Sequence, residues 1–434
     1  MIKLVPNILY GLSLISTTVS IAAWTLLVLS LLLIIVAIPR SRRVRATVTI
    51  LLASVIVAVA LFVGLFFFFK TPLEQISFQS IAALGLCVGA LIGTIWAIIT
   101  RWTKIWTCAP LAIAIVSFLL VGNQTYALYP DVYSLSSQEP FHQTSLSDLP
   151  HATSIPLIQW QAHPQPAPLD TQGTVVVANT PTPESRFAAR DSLVYLPPAW
   201  FTNPRPQLPV LVLMPGIPGS PDQWFDEGRA GLVAHNYQKA HGGLSPIIIA
   251  VDGTGGPVDN LLCTDSNKAK VRTFLAKDVP AWAVSAFDAN PDQSSWTIGG
   301  LSYGGTCSLQ TILNSPHSYG HFVDISGERT PNDGESHETT VRDYFAGSEK
   351  TFQEQNPETL LRTKQFPGIT GLFIAGEADE SAVRDLQHLN SLTPAAGIES
   401  TYVSVPGSHD FIAWRAALGY AFPHVAAWGG LPSP

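Results

Sequence analysis

Four apolar runs, near Leu14–Ile38, Ala46–Phe69, Phe78–Thr100 and Ile105–Val121, fill the first quarter of the chain. A helix needs about 20 residues to cross the hydrocarbon of a bilayer. Inside lipid, a lone apolar segment satisfies its backbone groups only as a helix. The runs are therefore expected to be four transmembrane helices. None carries a charged residue in its interior, which speaks against an ion or proton pathway and hence against a transporter.

The connections set the orientation. Arg40, Arg42, Arg43 and Arg45 lie between the first two runs, and Arg101 and Lys104 between the last two. The middle connection offers only Lys70 against Glu74. By the positive-inside bias both basic connections are cytoplasmic, so everything after Val121 faces outward. A cleaved signal peptide would need basic residues ahead of a short apolar core, and here they follow a long one. Gly85, Gly89 and Gly93 recur on one face of the third run, a spacing that lets another helix approach closely. Packing within the bundle is the expected use.

Charge divides at the same place. Residues 1–122 hold eight Lys/Arg and one acid, whereas the remainder holds 16 Lys/Arg and 30 Asp/Glu. No basic patch in the acidic part points to nucleic acid. From Gly122 to about Asp170 the chain is polar, rich in Pro, Ser, Gln and His, and without sustained period. The expected organisation is a membrane region over 1–122, an extracytoplasmic linker over 123–170 and an outer domain over 171–434. Asn123-Gln124-Thr125 matches a glycosylation sequon, a weak three-residue signal.

In the outer domain short apolar strands alternate with helix-length segments. Thr174–Ala178 and Ser192–Leu196 read as an opening antiparallel pair, followed by main-sheet strands near Pro209–Met214, Pro246–Val251, Ser295–Gly299, Phe322–Ile325, Gly371–Ala375 and Thr401–Val405. Helices are expected over Lys268–Phe287, Thr306–Asn314, Thr351–Leu361, Ser381–Leu392 and Asp410–Ala421. The alternation implies a mostly parallel sheet covered on both faces, with chemistry at the carboxyl ends of its strands.

Four such ends carry suggestive residues. Gly300-Leu301-Ser302-Tyr303-Gly304 is G-x-S-x-G between a strand and a helix, the setting of a nucleophile elbow. Pro215-Gly216-Ile217 is a bare turn whose Ile217 N–H could serve, with the Tyr303 N–H, as an oxyanion donor. Glu377, Asp379 and Glu380 crowd one strand end and compete for the role of triad acid. His409 opens a helix on a glycine-marked loop, where a general base belongs. The order serine, acid, histidine is that of the α/β-hydrolases.

Together these residues resemble the esterase family of esterase D-type formylglutathione hydrolases, feruloyl esterases and mycolyltransferases. The likeness covers roughly Gly173 to Trp428. It rests on Phe187-Ala188-Ala189-Arg190 through Trp200, Pro215-Gly216-Ile217, Leu275 to Trp282, the Gly300–Gly305 elbow, and Gly407-Ser408-His409-Asp410 with Trp414. It implies an α/β-hydrolase fold without metal or organic cofactor, and acyl transfer through an acyl-serine. By match, Ser302 is the nucleophile, His409 the base and Asp379 the acid, with Glu377 the alternative because members carry either Asp or Glu. The four-span anchor departs from secreted members and resembles envelope-associated actinobacterial relatives.

Cys263 and Cys307 are the two cysteines of the outer domain. An even pair in an oxidising compartment implies a disulfide tying a loop to the helix behind Ser302. Cys87 and Cys108 fall in the apolar runs. The expected protein is a membrane-anchored serine esterase or acyltransferase acting outside the plasma membrane on envelope lipids or acylated glycans. The rival from another class is an inactive envelope sensor that kept the hydrolase shell.

Overall fold

The computed structural model describes residues 12–68, 76–99, 108–135, 141–167 and 173–432. They form two compact units, Met1–Ser137 and Gln138–Pro434. Lys70, Glu74, Arg101 and Lys104, used above for orientation, lie outside the described residues.

The first unit contains α1 (Thr17–Ala37), α2 (Arg40–Val63), α3 (Phe78–Ile99) and α4 (Cys108–Tyr126). α2 runs on through a π-helical turn, Gly64–Phe68. All four helices are long and apolar enough to cross a membrane. Leu27, Ile34, Ile50, Ala90, Ala114 and Val121 are buried between them, while Leu33, Val44 and Ile56 point outward. The glycine stripe of α3 is used inside the bundle. A Cβ at Gly85 would stand 2.6 Å from the Ser54 carbonyl oxygen, and one at Gly93 would stand 2.7 Å from Ile34.

The arginines between the first two runs do more than set orientation. α2 begins at Arg40, so they lie on its first turns. Arg43 reaches back, its Nη2 donating to Val36 O at 2.8 Å and its Nε to Ile38 O at 3.2 Å. It thus covers carbonyls that the end of α1 leaves unpaired, with a positive charge at the negative end of the helix. At the other end, Ser13 and Asp131 form an antiparallel bridge. Leu14 N–H donates to Pro130 O at 2.8 Å, and Val132 N–H to Leu12 O at 3.1 Å. The sequon falls inside α4. Asn123 spends its amide on Tyr129 O and Tyr129 N–H, and Thr125 Oγ1 bonds Ser77.

The second unit starts within the segment expected to be a linker, which corrects the boundaries of 123–170. β1 (His142–Thr144) pairs in parallel with β3 (Thr174–Ala178), and β2 (Ser154–Pro156) pairs with β5 (Arg205–Gln207). Between β2 and β3, α5 (Leu157–Ala162) buries Leu157 and Trp160, and Trp160 Nε1 donates to Thr202 Oγ1 at 3.1 Å. These pieces of three to six residues are too short for a readable period and form only against their partners.

β4 (Ser192–Leu196) is antiparallel to β3, as the sequence suggests, and to β7 (Ile247–Ala250). β6 (Val210–Met214), β7, β8 (Thr297–Leu301), β9 (His321–Ile325), β10 (Thr370–Gly376) and β11 (Glu399–Val405) are parallel. The nine strands run in the order β1-β3-β4-β7-β6-β8-β9-β10-β11. Around them lie α6 (Ala230–Ala240), α7 (Val279–Phe287), α8 (Tyr303–Asn314), α9 (His337–Tyr344), α10 (Glu349–Gln353), α11 (Pro357–Thr363), α12 (Glu380–Leu392) and α13 (Phe411–Trp428). The sequence reading missed α6 and α9, and it merged α10 with α11, which Asn356-Pro357 separates.

Register positions the site. Met214 stands opposite Gly300, Gly300 opposite Asp324, Asp324 opposite Phe373, and Gly376 opposite Val405. The strand ends are level, so the turns after β6, β8, β9, β10 and β11 meet at one edge.

The glycine stripe yields a test. At Gly85 the obstacle is backbone, so Gly85→Ala should lower the stability of the full chain in detergent by about 1–3 kcal/mol. Gly122 has nothing within 4 Å of an added Cβ. Gly122→Ala should be neutral or stabilising by about 0.5–1 kcal/mol. Thermal unfolding of the two variants checks this, and equal melting temperatures would remove the packing role of Gly85.

Candidate active site

Ser302 sits between β8 and α8 at φ 54°, ψ −117°. Such backbone in a residue with a Cβ costs about 1–3 kcal/mol and persists only where its surroundings fix it. Here they do. Ser302 N–H donates to Ile325 O at 2.8 Å, and its carbonyl accepts from Thr306 N–H at 3.1 Å. Strand and helix close on each other at glycines: a Cβ at Gly300 would strike the Gly304 carbonyl, and one at Gly304 the Met214 oxygen. The result holds the hydroxyl out at the sheet edge.

The loop after β11 brings His409 to it. Nε2 of His409 lies 2.9 Å from Ser302 Oγ, and Nδ1 lies 2.7 Å from Asp379 Oδ2. Asp410 fixes the loop by capping α13, accepting from Ile412 and Ala413 N–H at 2.9 and 3.0 Å and from Ser408 N–H at 3.1 Å. The imidazole meets the Trp414 ring edge-on, centroids 5.2 Å apart. Ala378 N–H donates to Gly407 O at 3.0 Å, tying the acid loop to the histidine loop.

Asp379 is buried and caps α12, where Ala382 N–H approaches Oδ1 at 3.4 Å. Burial pushes its carboxyl up. The hydrogen bond and charge of His409, with the capping amide, outweigh that and hold it below the usual carboxylate range. Glu377, the alternative acid, is exposed, and among the described residues its side chain makes no hydrogen bond to His409.

The Ile217 turn lies against the nucleophile, since a Cβ at Gly216 would stand 3.5 Å from Ser302 Cβ. Among the described residues neither the Ile217 N–H nor the Tyr303 N–H donates to a protein acceptor. The turn has braces that sequence reasoning missed. Gln223 accepts from Gly216 N–H at 3.2 Å and donates to Pro218 O at 3.3 Å. Arg190 donates to Gly219 O at 2.9 Å while forking onto the buried Asp252 at 2.8 and 3.0 Å. That charge-assisted fork keeps the Asp252 carboxyl low against its burial. Asp252 follows the apolar run of β7, the one signal that could have marked it.

Tyr303 links the elbow to a cap. Its hydroxyl donates to Gly253 O at 2.8 Å and accepts from Cys263 N–H at 3.3 Å. Cys263 and Cys307 are joined by a disulfide, their Cα atoms 5.4 Å apart. Next to it, Leu262, Val341, Tyr344, Phe345 and Phe352 form a small separate apolar core.

Residues 189–425 match the family model described as "Putative esterase". An uncharacterized protein of Corynebacterium glutamicum is 42% identical over 353 residues, covering 80% of this chain and 81% of the relative. That stretch is longer than the second unit, so the likeness reaches into the helical one. Among solved structures, a ferulic acid esterase is similar with TM-score 0.50 at 18% identity, over 59% of this chain and 99% of that one. An S-formylglutathione hydrolase from Agrobacterium tumefaciens gives TM-score 0.49 at 15% identity, over 59% and 95%. At such identities the ferulic acid esterase likeness shows the fold, that of an α/β-hydrolase.

The geometry distinguishes the two acids by experiment. Asp379→Asn should slow labelling of Ser302 by a fluorophosphonate about 10³–10⁴-fold, because the amide favours the wrong histidine tautomer. Glu377→Gln should stay within about twofold, as expected of an exposed group outside the relay. Comparable slowing by Glu377→Gln would overturn the assignment.

Proposed function

The chain belongs to the Esterase family, and on that premise we propose that it is a membrane-anchored serine esterase or acyltransferase whose second unit works outside the plasma membrane. The observation that carries the reading is the continuous hydrogen-bonded relay from Asp379 through His409 to Ser302, ending on a hydroxyl held out by strained backbone.

The relay defines the steps. His409 Nε2 takes the Ser302 proton as Oγ attacks the acyl carbon, and Asp379 stabilises the imidazolium through Nδ1–H. The carbonyl oxygen, now negative, is received by the Ile217 and Tyr303 N–H groups, donors of a kind worth about 3–4 kcal/mol each in the transition state. Collapse expels the alcohol, protonated by His409, and leaves an acyl-serine. Water or a second alcohol then attacks with His409 again as base, giving acid or transferred ester.

Location narrows the substrate. Four helices able to cross a membrane exceed what tethering requires, and a catalytic unit confined to that surface meets lipid-linked esters at high effective concentration. The substrate is therefore an acyl ester of the envelope, a lipid or an acylated glycan. Envelope extracts from cells lacking the protein, cells with it restored and cells carrying Ser302→Ala check this. A species accumulating equally in the null and alanine cells is the substrate, and one missing from both is the product. Three identical profiles would reject an envelope substrate.

Orientation follows the arginines at the start of α2. A reporter active only outside the cytoplasm should be active when fused after Ser137 and silent when fused after Arg43. The reverse pattern would place the catalytic unit inside.

A further inference from the structure

Residues Asp324 to Glu328, the end of β9 and the turn that follows, bond the Ser302 turn on one side and the strand leading to Asp379 on the other. On one side, Ser302 N–H donates to Ile325 O at 2.8 Å. Glu328 N–H donates to Thr306 Oγ1 at 2.8 Å, and that hydroxyl approaches Ser302 O at 3.4 Å. On the other side, Ser326 N–H donates to Ile374 O at 2.8 Å. The Ser326 hydroxyl favours the charged form of Asp379 from beyond full hydrogen-bond reach. Ser326 itself is at φ 52°, so the turn needs a restraint.

The restraint is the fully buried Asp324. Its Oδ1 accepts from Gly327 N–H at 3.1 Å. The carboxyl occupies space left by the missing side chains of Gly305 and Gly327, and a Cβ at Gly305 would stand 2.5 Å from Oδ1. Its Oδ2 has no hydrogen-bond partner among the described residues. A buried carboxyl with one unpaired oxygen is expensive to keep, and nothing in the proposed acyl transfer uses it.

We propose that Asp324 is a positioning residue for the acyl-transfer site, clamping the 324–328 turn so that one segment fixes both Ser302 and Asp379. The proposal rests on the reading of Ser302 as nucleophile. Burial pushes the Asp324 carboxyl up to about 8, against the Gly327 N–H, and Asp385 of α12 adds to the push. Its neighbours from β8, β10 and α8 are Gly300, Phe373, Gly305 and Thr306, none of them titratable. At neutral pH the group is therefore a neutral acid. Above about pH 8 it becomes a buried anion beneath the elbow, opposing the negative charge that acyl transfer develops beside Ser302.

The test uses the full chain in detergent, with a p-nitrophenyl ester and with the rate of fluorophosphonate labelling. In the native protein kcat and labelling should fall as pH rises through about 8. Asp324→Asn should lower kcat at pH 7 by only about threefold, since the amide keeps the acceptor for Gly327, and should lose the alkaline fall. Asp324→Leu should lower kcat about tenfold or more with KM within about twofold. Its folding is read from the melting temperature.

A third readout needs no activity. The unfolded carboxyl ionises near its ordinary value while the folded one stays neutral, so the native protein loses stability as pH rises from about 4 to about 8. The melting-temperature gain of Asp324→Asn over the native chain should grow across that window. An alkaline fall kept by Asp324→Asn, a folded Asp324→Leu with native kcat, or a pH-independent melting difference would each overturn the clamp. No labelling of native Ser302 at any pH would instead overturn the functional reading, and the melting series would still decide whether Asp324 is held neutral.

Discussion

The contact on which the second unit depends is the approach of α8 to the sheet at Ser302. A residue with a Cβ is held at positive φ there because β9 takes its N–H and because Gly300 and Gly304 let helix and strand come within backbone contact. Every residue of α8 from Gly304 to Leu313 is buried as a consequence. The strand register then does the rest: with β6, β8, β9, β10 and β11 ending level, the loops bearing Ile217, Glu328, Asp379 and His409 have one edge to meet at.

Three buried carboxyls near that edge are stabilised in three different ways. Asp252 stays charged because the Arg190 guanidinium grips both of its oxygens. Asp379 stays charged with fewer donors, held low by one imidazole and a helix N-terminus. Asp324 has a single backbone amide and is driven neutral. The same side chain thus acts as a rigid anchor, an electrostatic partner and an uncharged clamp, according to how many donors surround it.

Much of this was legible in the chain. Ser302, Asp379 and His409 were readable because each follows an apolar strand and stands within three residues of a glycine, which marks turns by what it lacks. Asp379 and Glu377 were not separable, since two positions on one turn differ only in which side chain points inward. The boundary at Gln138 was hidden because β1, β2 and α5 owe their form to partners far along the chain, such as Thr174 and Arg205. Gln223 and Asp324 left no signal, because what each grips is backbone, and backbone amides look alike in every sequence.

The bridge between Ser13 and Asp131 has a mechanical meaning. Leu12 and Leu14 bond Val132 and Pro130, and Gln124 Nε2 bonds Leu14 O at 2.7 Å, so the chain leaving α4 is stitched alongside the chain leading into α1. Tension on the chain beyond Leu135 would load these parallel bonds together, in shear, before it reached α4 alone. Shared loading of this kind makes α1 and α4 a single footing, and a pull on the chain that follows them would be spread over both.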